Sequence, residues 1–220
     1  MPPVIAIDGP SASGKGTVAQ RVAQALQFHY LDSGALYRGV ALAAAKSGTK
    51  LVAGKTLERL AATMDISFVG ENIFLNQMVV TDELRSEAVS EAASIVGAIA
   101  SVRLALIARQ RAFCQPPGLV ADGRDMGSTI FPAATLKIYL TADADERARR
   151  RYKQLIAKGL NANMATLLQD ILARDERDSE RVAAPLQKCK DAIVLDTTNL
   201  SIDAAVEQVL AQYAAVKQES

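Results

Sequence analysis

The stretch Val4-Ile5-Ala6-Ile7-Asp8-Gly9-Pro10-Ser11-Ala12-Ser13-Gly14-Lys15-Gly16-Thr17 decides the fold. An apolar run leads into a glycine-rich segment and then a helical pattern with Val18, Val22, Ala25 and Leu26 on one face. Strand, turn and helix follow one another without a gap. The spacing Gly9, four residues, Gly14-Lys15 is that of a phosphate-binding loop. Backbone N–H groups turned toward one point, the positive end of the next helix and a lysine ammonium together suit the oxygens of a polyphosphate. Gly9 and Gly14 leave that backbone unhindered. Gly16 stands where many such loops carry a magnesium-holding Ser or Thr, and Thr17 comes one position late. The loop predicts a bound nucleoside triphosphate; a plain strand-turn-helix with a capping serine is the alternative.

Outward from this loop the pattern is α/β. Strands are expected at 28–31, 119–121, 136–140 and 192–195, and helices at 35–46, 143–158, 164–178 and 201–216, the last capped by Ser201. Alternating strands and helices imply a parallel sheet covered by helices on both faces. Between 62 and 80 the pattern changes. Strands at 65–69 and 73–80, separated by Gly70-Glu71-Asn72, predict a small antiparallel insertion. Helices at 82–89 and 91–115 follow, with Pro116-Pro117-Gly118 stopping the second. The expected plan is one domain over 1–220: core at 1–61, insertion at about 62–90, core at about 91–146, a helical lid at about 147–165 and core at about 166–220. The break at Lys158-Gly159-Leu160-Asn161 separates the two lid-side helices.

Composition narrows the function classes. The 220 residues are 50% hydrophobic, enough for a sizeable core. No apolar run approaches the roughly 20 residues that span a bilayer, and a strand starts too early for a signal peptide, so a soluble, cytoplasmic protein is expected. Cys114 and Cys189 lack metal-ligand spacing and read as reduced thiols. Lys and Arg total 25 against 24 acidic residues, a balance that disfavours a nucleic-acid polymer or an anionic membrane as partner. His29, the one histidine, reads as structural.

A phosphate loop fits kinases, GTPases, motors and nucleotide-gated regulators alike, so the reaction must be read elsewhere. Ordered motifs follow the loop IDGPSASGKGT from Ile7: LDSGALYR from Leu31, ADGRDMG from Ala121, RDERDSERVAAPL from Arg174 and LDTT from Leu195. Over most of the chain this series resembles the bacterial cytidylate kinases. The resemblance implies a P-loop kinase fold with the insertion on the CMP side and a mobile lid. It implies transfer of the ATP γ-phosphoryl group to CMP or dCMP with Mg2+, within pyrimidine nucleotide metabolism, by a monomer.

The resemblance also implies residue roles. Lys15, Arg38, Arg124 and Arg181 are the catalytic cations, the three arginines gripping the acceptor phosphate with planar forks. Gly9, Pro10, Ser11, Ala12, Ser13, Gly14, Lys15, Gly16 and Thr17 hold ATP. The E-R-A-x-R-R run from Glu146 adds Arg147, Arg150 and Arg151. Ser33, Ser94, Arg103 and Asp125 form the cytosine pocket, where a carboxylate accepts from the exocyclic amine and disfavours the carbonyl of uracil. Arg174 and Asp178 contact the ribose. The metal falls to Thr17 or Asp122, directly or through water; Asp122 otherwise caps a turn. Taken alone, the arginines at 147–151 and 174–181 are equally the makings of solvated helix faces. A kinase for another small acceptor, such as UMP, AMP or shikimate, and a regulatory nucleotide-binding module are the alternatives.

Overall fold

Five consecutive buried residues make β1 (Val4–Asp8) an interior strand, the signature of a parallel sheet with both faces covered. The computed structural model describes residues 2–69 and 72–219. After β1 come α1 (Lys15–Leu26), β2 (His29–Asp32), α2 (Ser33–Ser47) and α3 (Lys55–Thr63). Three short strands, β3 (Ile66–Val69), β4 (Asn72–Leu75) and β5 (Met78–Val79), then precede α4 (Thr81–Leu84), α5 (Glu87–Gly97) and α6 (Ala100–Arg111). The chain continues through β6 (Leu119–Gly123), a single wide helical turn at Met126–Ile130, and β7 (Leu136–Thr141). It ends with α7 (Ala144–Ala157), α8 (Met164–Glu180), β8 (Ile193–Asp196) and α9 (Ile202–Glu219).

The five-stranded sheet has the order β2-β6-β1-β7-β8. β1 runs parallel to β6 and β7, and β7 to β8. Asp8 lies opposite both Gly123 of β6 and Tyr139 of β7, so three strands finish at one edge. The glycine loop, the Arg124-Asp125 segment and the start of α7 leave from that edge, where open parallel sheets place their ligands.

The chain divides into two compact units, one running to Leu31 and resuming at Phe113, the other Asp32–Ala112. The first is built on Ile5 and Ile7 of β1, Leu136, Ile138 and Leu140 of β7, Val18 and Val22 of α1, and Val209 and Tyr213 of α9. Phe28 meets Tyr213 edge-on, ring centroids 5.8 Å apart. Each of the fully buried isoleucines contributes about 1.5–3 kcal/mol by leaving water. In the second unit α2 packs on α5 and α3 on α6, with the antiparallel sheet β3-β4-β5 alongside. This unit is broader than the insertion expected at 62–90, because the apolar faces of four helices gather with the three strands.

Several expected elements are corrected. The strand expected at 73–80 is two strands, since Asn76 and Gln77 both have positive φ, 50° and 66°, and turn the chain into a two-residue hairpin. Gly70 and Glu71 of the other predicted turn lie outside the described residues. The helix expected at 91–115 breaks between Gly97 and Ala100 and bends by 101°. Arg103 folds back across the break and donates to the Gly97 carbonyl at 3.0 Å, satisfying an acceptor the ended helix leaves open. α3 has no counterpart among the expected elements; its buried residues, Leu57 and Ala61, form one i,i+4 pair, too little to mark a period. The predicted cap is present: Ala204 donates to Ser201 Oγ at 3.1 Å. Among the described residues no single helix is long and apolar enough to cross a membrane.

Candidate active site

The glycine loop is shaped by what lies against it. A Cβ on Gly9 would stand 2.0 Å from the Leu140 carbonyl oxygen, so only glycine lets β1 turn there beside β7. Gly14 precedes α1 at φ 90°, and Lys15 folds back to donate from Nζ to the Pro10 carbonyl at 3.0 Å. Lys15 is buried, and burial together with the neighbouring Arg124 guanidinium pushes its ammonium down to about 7 against the pull of Asp122. Gly16 has its own reason: a Cβ there would lie 3.1 Å from Asp122 Oδ2. The carboxylate fills the room that a Ser or Thr would need.

Two of the arginines expected at ATP hold the loop from behind. Arg147 donates from Nε to Ala142 O at 2.9 Å, and from Nη1 to Ser11 O at 3.1 Å and Asp175 Oδ2 at 2.5 Å. Arg150 donates to Ser13 O at 3.0 Å and to Thr197 Oγ1 and O at 3.1 and 2.5 Å. The structure thus brings both to the loop's carbonyl side, while Arg151 reaches Gln154 along its own helix at 3.3 Å. Asp175 Oδ1 also accepts from the Ser11 N–H and hydroxyl, at 3.2 and 3.1 Å.

The same unit holds a second charged group. Arg124 Nε donates to Asp178 Oδ2 at 2.7 Å. Arg181 lies 3.8 Å from Asp125 Oδ1 and 3.7 Å from Asp178 Oδ1. Burial alone would raise the Asp178 carboxyl, but Arg124, Arg174 and Arg181 together hold it below the usual range. Arg124, Arg181, Asp125 and Asp178 therefore form a connected charged array at β6's exit and the C-terminal end of α8.

In the Asp32–Ala112 unit, Asp32 caps α2 by accepting from the Ala35 N–H at 3.0 Å, and its other oxygen takes Arg38 Nη2 at 2.6 Å. Ser33, Ser94 and Arg103 are buried on α2, α5 and α6. The Arg103 guanidinium sits over the Tyr37 ring, 5.4 Å from its centroid.

Sequence reasoning missed Asp8, Asp175 and Tyr37 as site residues. Asp8 is buried at the end of β1 and accepts from Met126 N and Gly127 N, both at 2.8 Å, so it anchors the turn that follows Asp125. Burial outweighs those two bonds and pushes its carboxyl up to about 6. Its signal was an acid closing an otherwise apolar strand. His29, exposed, lies 2.9 Å from Pro116 O through Nε2, a structural contact.

The loop fits Mg2+. Among the described residues no three His, Cys, Asp or Glu side chains cluster to hold a metal by themselves. Mg2+ needs no such cage: it takes one or two carboxylates and completes its shell with phosphate oxygens and water. Asp122, buried beside Gly16, is a carboxylate that would suit such a site, and the buried Ser13 hydroxyl in the same loop has no protein partner. Thr17 is exposed on the first turn of α1.

A glycine loop with a buried lysine, set at the carboxyl edge of a parallel sheet and followed by arginine-bearing helices, defines a P-loop kinase fold. The family model described as cytidylate kinase matches residues 5–215, and the chain belongs to that family. A cytidylate kinase of Nitrosomonas eutropha is 57% identical over 212 residues, 96% of this chain and 95% of that one. One from Chromobacterium violaceum is 55% identical, with 94% of each chain covered. Among solved structures, a gluconokinase from Sinorhizobium meliloti 1021 superposes with a TM-score of 0.52 at 15% identity, covering 99% of this chain and 95% of that one. At that identity the likeness is one of fold.

Proposed function

We propose that the protein transfers the γ-phosphoryl group of ATP to CMP or dCMP, giving ADP and CDP or dCDP. The observation that carries this reading is the array of Arg124, Asp125, Asp178 and Arg181 in the same unit as the glycine loop, in a chain similar to cytidylate kinases over nearly its whole length.

An acceptor phosphate oxygen attacks the γ-phosphorus in line, the bond to the β–γ bridging oxygen breaks, and ADP leaves with that electron pair. The acceptor is already an anion, so no protein base is needed, and catalysis rests on positioning and fixed charge. Lys15 meets the β- and γ-phosphates from within the loop. Arg38, Arg124 and Arg181 bind the acceptor phosphate, Asp125 with Ser33, Ser94 and Arg103 selects cytosine, and Arg174 and Asp178 orient the ribose. Arg147, Arg150 and Arg151 serve the ATP side; the first two also shape the loop. Asp122 with Thr17, directly or through water, would hold Mg2+, which when bound would supply charge neutralisation at the phosphates. The segment 147–165 acts as a lid that keeps water from the transferring group, and the antiparallel strands at 62–90 support the CMP side. The protein works as a cytoplasmic monomer, away from nucleic-acid polymers and membranes, as its balanced charge favours.

ADP formation with CMP, dCMP, UMP and AMP offered separately, with Lys15→Ala as background, tests the reading. CMP and dCMP should support turnover that EDTA abolishes. Turnover no higher than the Lys15→Ala background with every acceptor would overturn it.

A further inference from the structure

Nothing in the proposed chemistry uses Asp175, yet its carboxylate makes two hydrogen bonds to the glycine loop from α8. Oδ1 takes the Ser11 N–H and hydroxyl, Oδ2 takes Arg147 Nη1, and the same Nη1 returns to the Ser11 carbonyl. The ring Ser11, Asp175, Arg147, Ser11 is closed and uses every polar group of Ser11. One turn further along α8, Asp178 holds Arg124 at 2.7 Å. Residues three apart lie on one helix face, about 4.5 Å apart along the axis. A single rigid segment therefore grips the ATP loop with one carboxylate and an acceptor-side arginine with the next.

We infer that Asp175 is a positioning residue that sets the ATP loop in register with Arg124 through Ser11. The inference rests on the phosphoryl-transfer reading above. Because in-line transfer tolerates little displacement, loss of this grip acts on the chemical step: the substrates still find their own contacts, but the reacting atoms no longer line up. A carboxylate that served only to neutralise Arg147 would instead support stability.

The test is steady-state kinetics of Asp175→Asn, Ser11→Ala and the double variant. Asp175→Asn keeps the volume but turns an N–H toward Arg147 or Ser11. Its kcat should fall about 10- to 100-fold with KM for ATP and CMP within about threefold of wild type. Ser11→Ala should lose less, and the double variant no more than Asp175→Asn, since both act through one contact. Glu176→Gln, exposed on the same helix, should be unchanged. A wild-type kcat for Asp175→Asn, a rise in KM for ATP alone, or additive losses in the double variant would each overturn the inference. No turnover of CMP by the wild-type protein would refute the substrate reading instead. A substrate-free measurement then decides: amide exchange at Ser11 should quicken in Asp175→Asn, and unchanged protection would overturn the role. Ser11→Ala, which retains the partly buried Arg147–Asp175 ion pair, covers the case in which Asp175→Asn fails to fold.

Discussion

Lys15 is a cation in a place that disfavours cations. Its ammonium, ordinarily near 10.5, is pushed down to about 7 by burial and by Arg124. Between those values the unfolded chain holds a proton that the folded chain does not, so this group makes stability rise with pH from about 7 to 10.5 and lose that gain as pH falls through 7. Triphosphate oxygens reverse the balance. Binding of a non-hydrolysable ATP analogue at pH 8 should take up about one proton, seen in calorimetry as a heat that depends on the buffer's ionisation enthalpy. Lys15→Met should abolish that dependence, and a buffer-independent heat for the wild type would count against the assignment. Asp8 titrates with the opposite sign. Its carboxyl is raised from 3.8 to about 6, so its contribution is present below 3.8 and is lost as pH rises through 6, a term of about 3 kcal/mol. Urea titrations should show Asp8→Asn gaining on the wild type between pH 4.5 and 7, and a constant difference would refute this. Lys15 was singled out by the loop's spacing, and Arg124 and Asp178 by the resemblance of their motifs, before any geometry was known. Asp8 and Asp175 were not, because their roles depend on which backbone ends up opposite, at Met126 and at Ser11.

At the scale of elements, the places where periodicity failed are those where a local backbone choice overrode it. Residues 73–80 alternate well enough to read as one strand, but Asn76 and Gln77 take left-handed φ and fold it into β4 and β5. A glutamine at φ 66° bears a steric cost that glycine avoids. Gln77→Gly should stabilise the protein by about 1 kcal/mol, raising the melting temperature with no change in turnover. The α5–α6 bend was hidden for a different reason. Residues 91–115 contain no proline, and the device that permits the break is a long-range one: Arg103 on the Gly97 carbonyl and the Tyr37 ring. Arg103→Ala leaves that carbonyl without its cation and should destabilise by about 1–3 kcal/mol, with Arg103→Lys recovering part of the loss in chemical denaturation. The parallel strands were read almost to the residue, since complete burial makes β1 and β6 continuous apolar runs that end in Asp8 and Asp122-Gly123.

For the whole molecule, two compact units partition the proposed chemistry, and every residue proposed for ATP lies in the one that resumes at Phe113. A non-hydrolysable analogue at 100 times its Kd should add about 2.7 kcal/mol of stability. Amide exchange should slow at residues 9–17 and on α7 and α8, while β3 to β5 exchange as before; protection confined to β3 to β5 would misplace the ATP site. The outline of the second unit was the least legible feature of the fold, because helix-on-helix packing among α2, α3, α5 and α6 leaves no mark in a sequence window. The supports of the glycine loop carry one more consequence, for biosynthesis. Ser13 O is held by Thr197, 184 residues later in the chain, and Ser11 by Asp175, 164 residues later. At about 5–20 residues per second, translation separates loop from support by on the order of 10–40 s. The loop therefore stays without these braces until Asp175 and then Thr197 have left the ribosome, and a nascent chain that stalls between them carries a loop held on one side only.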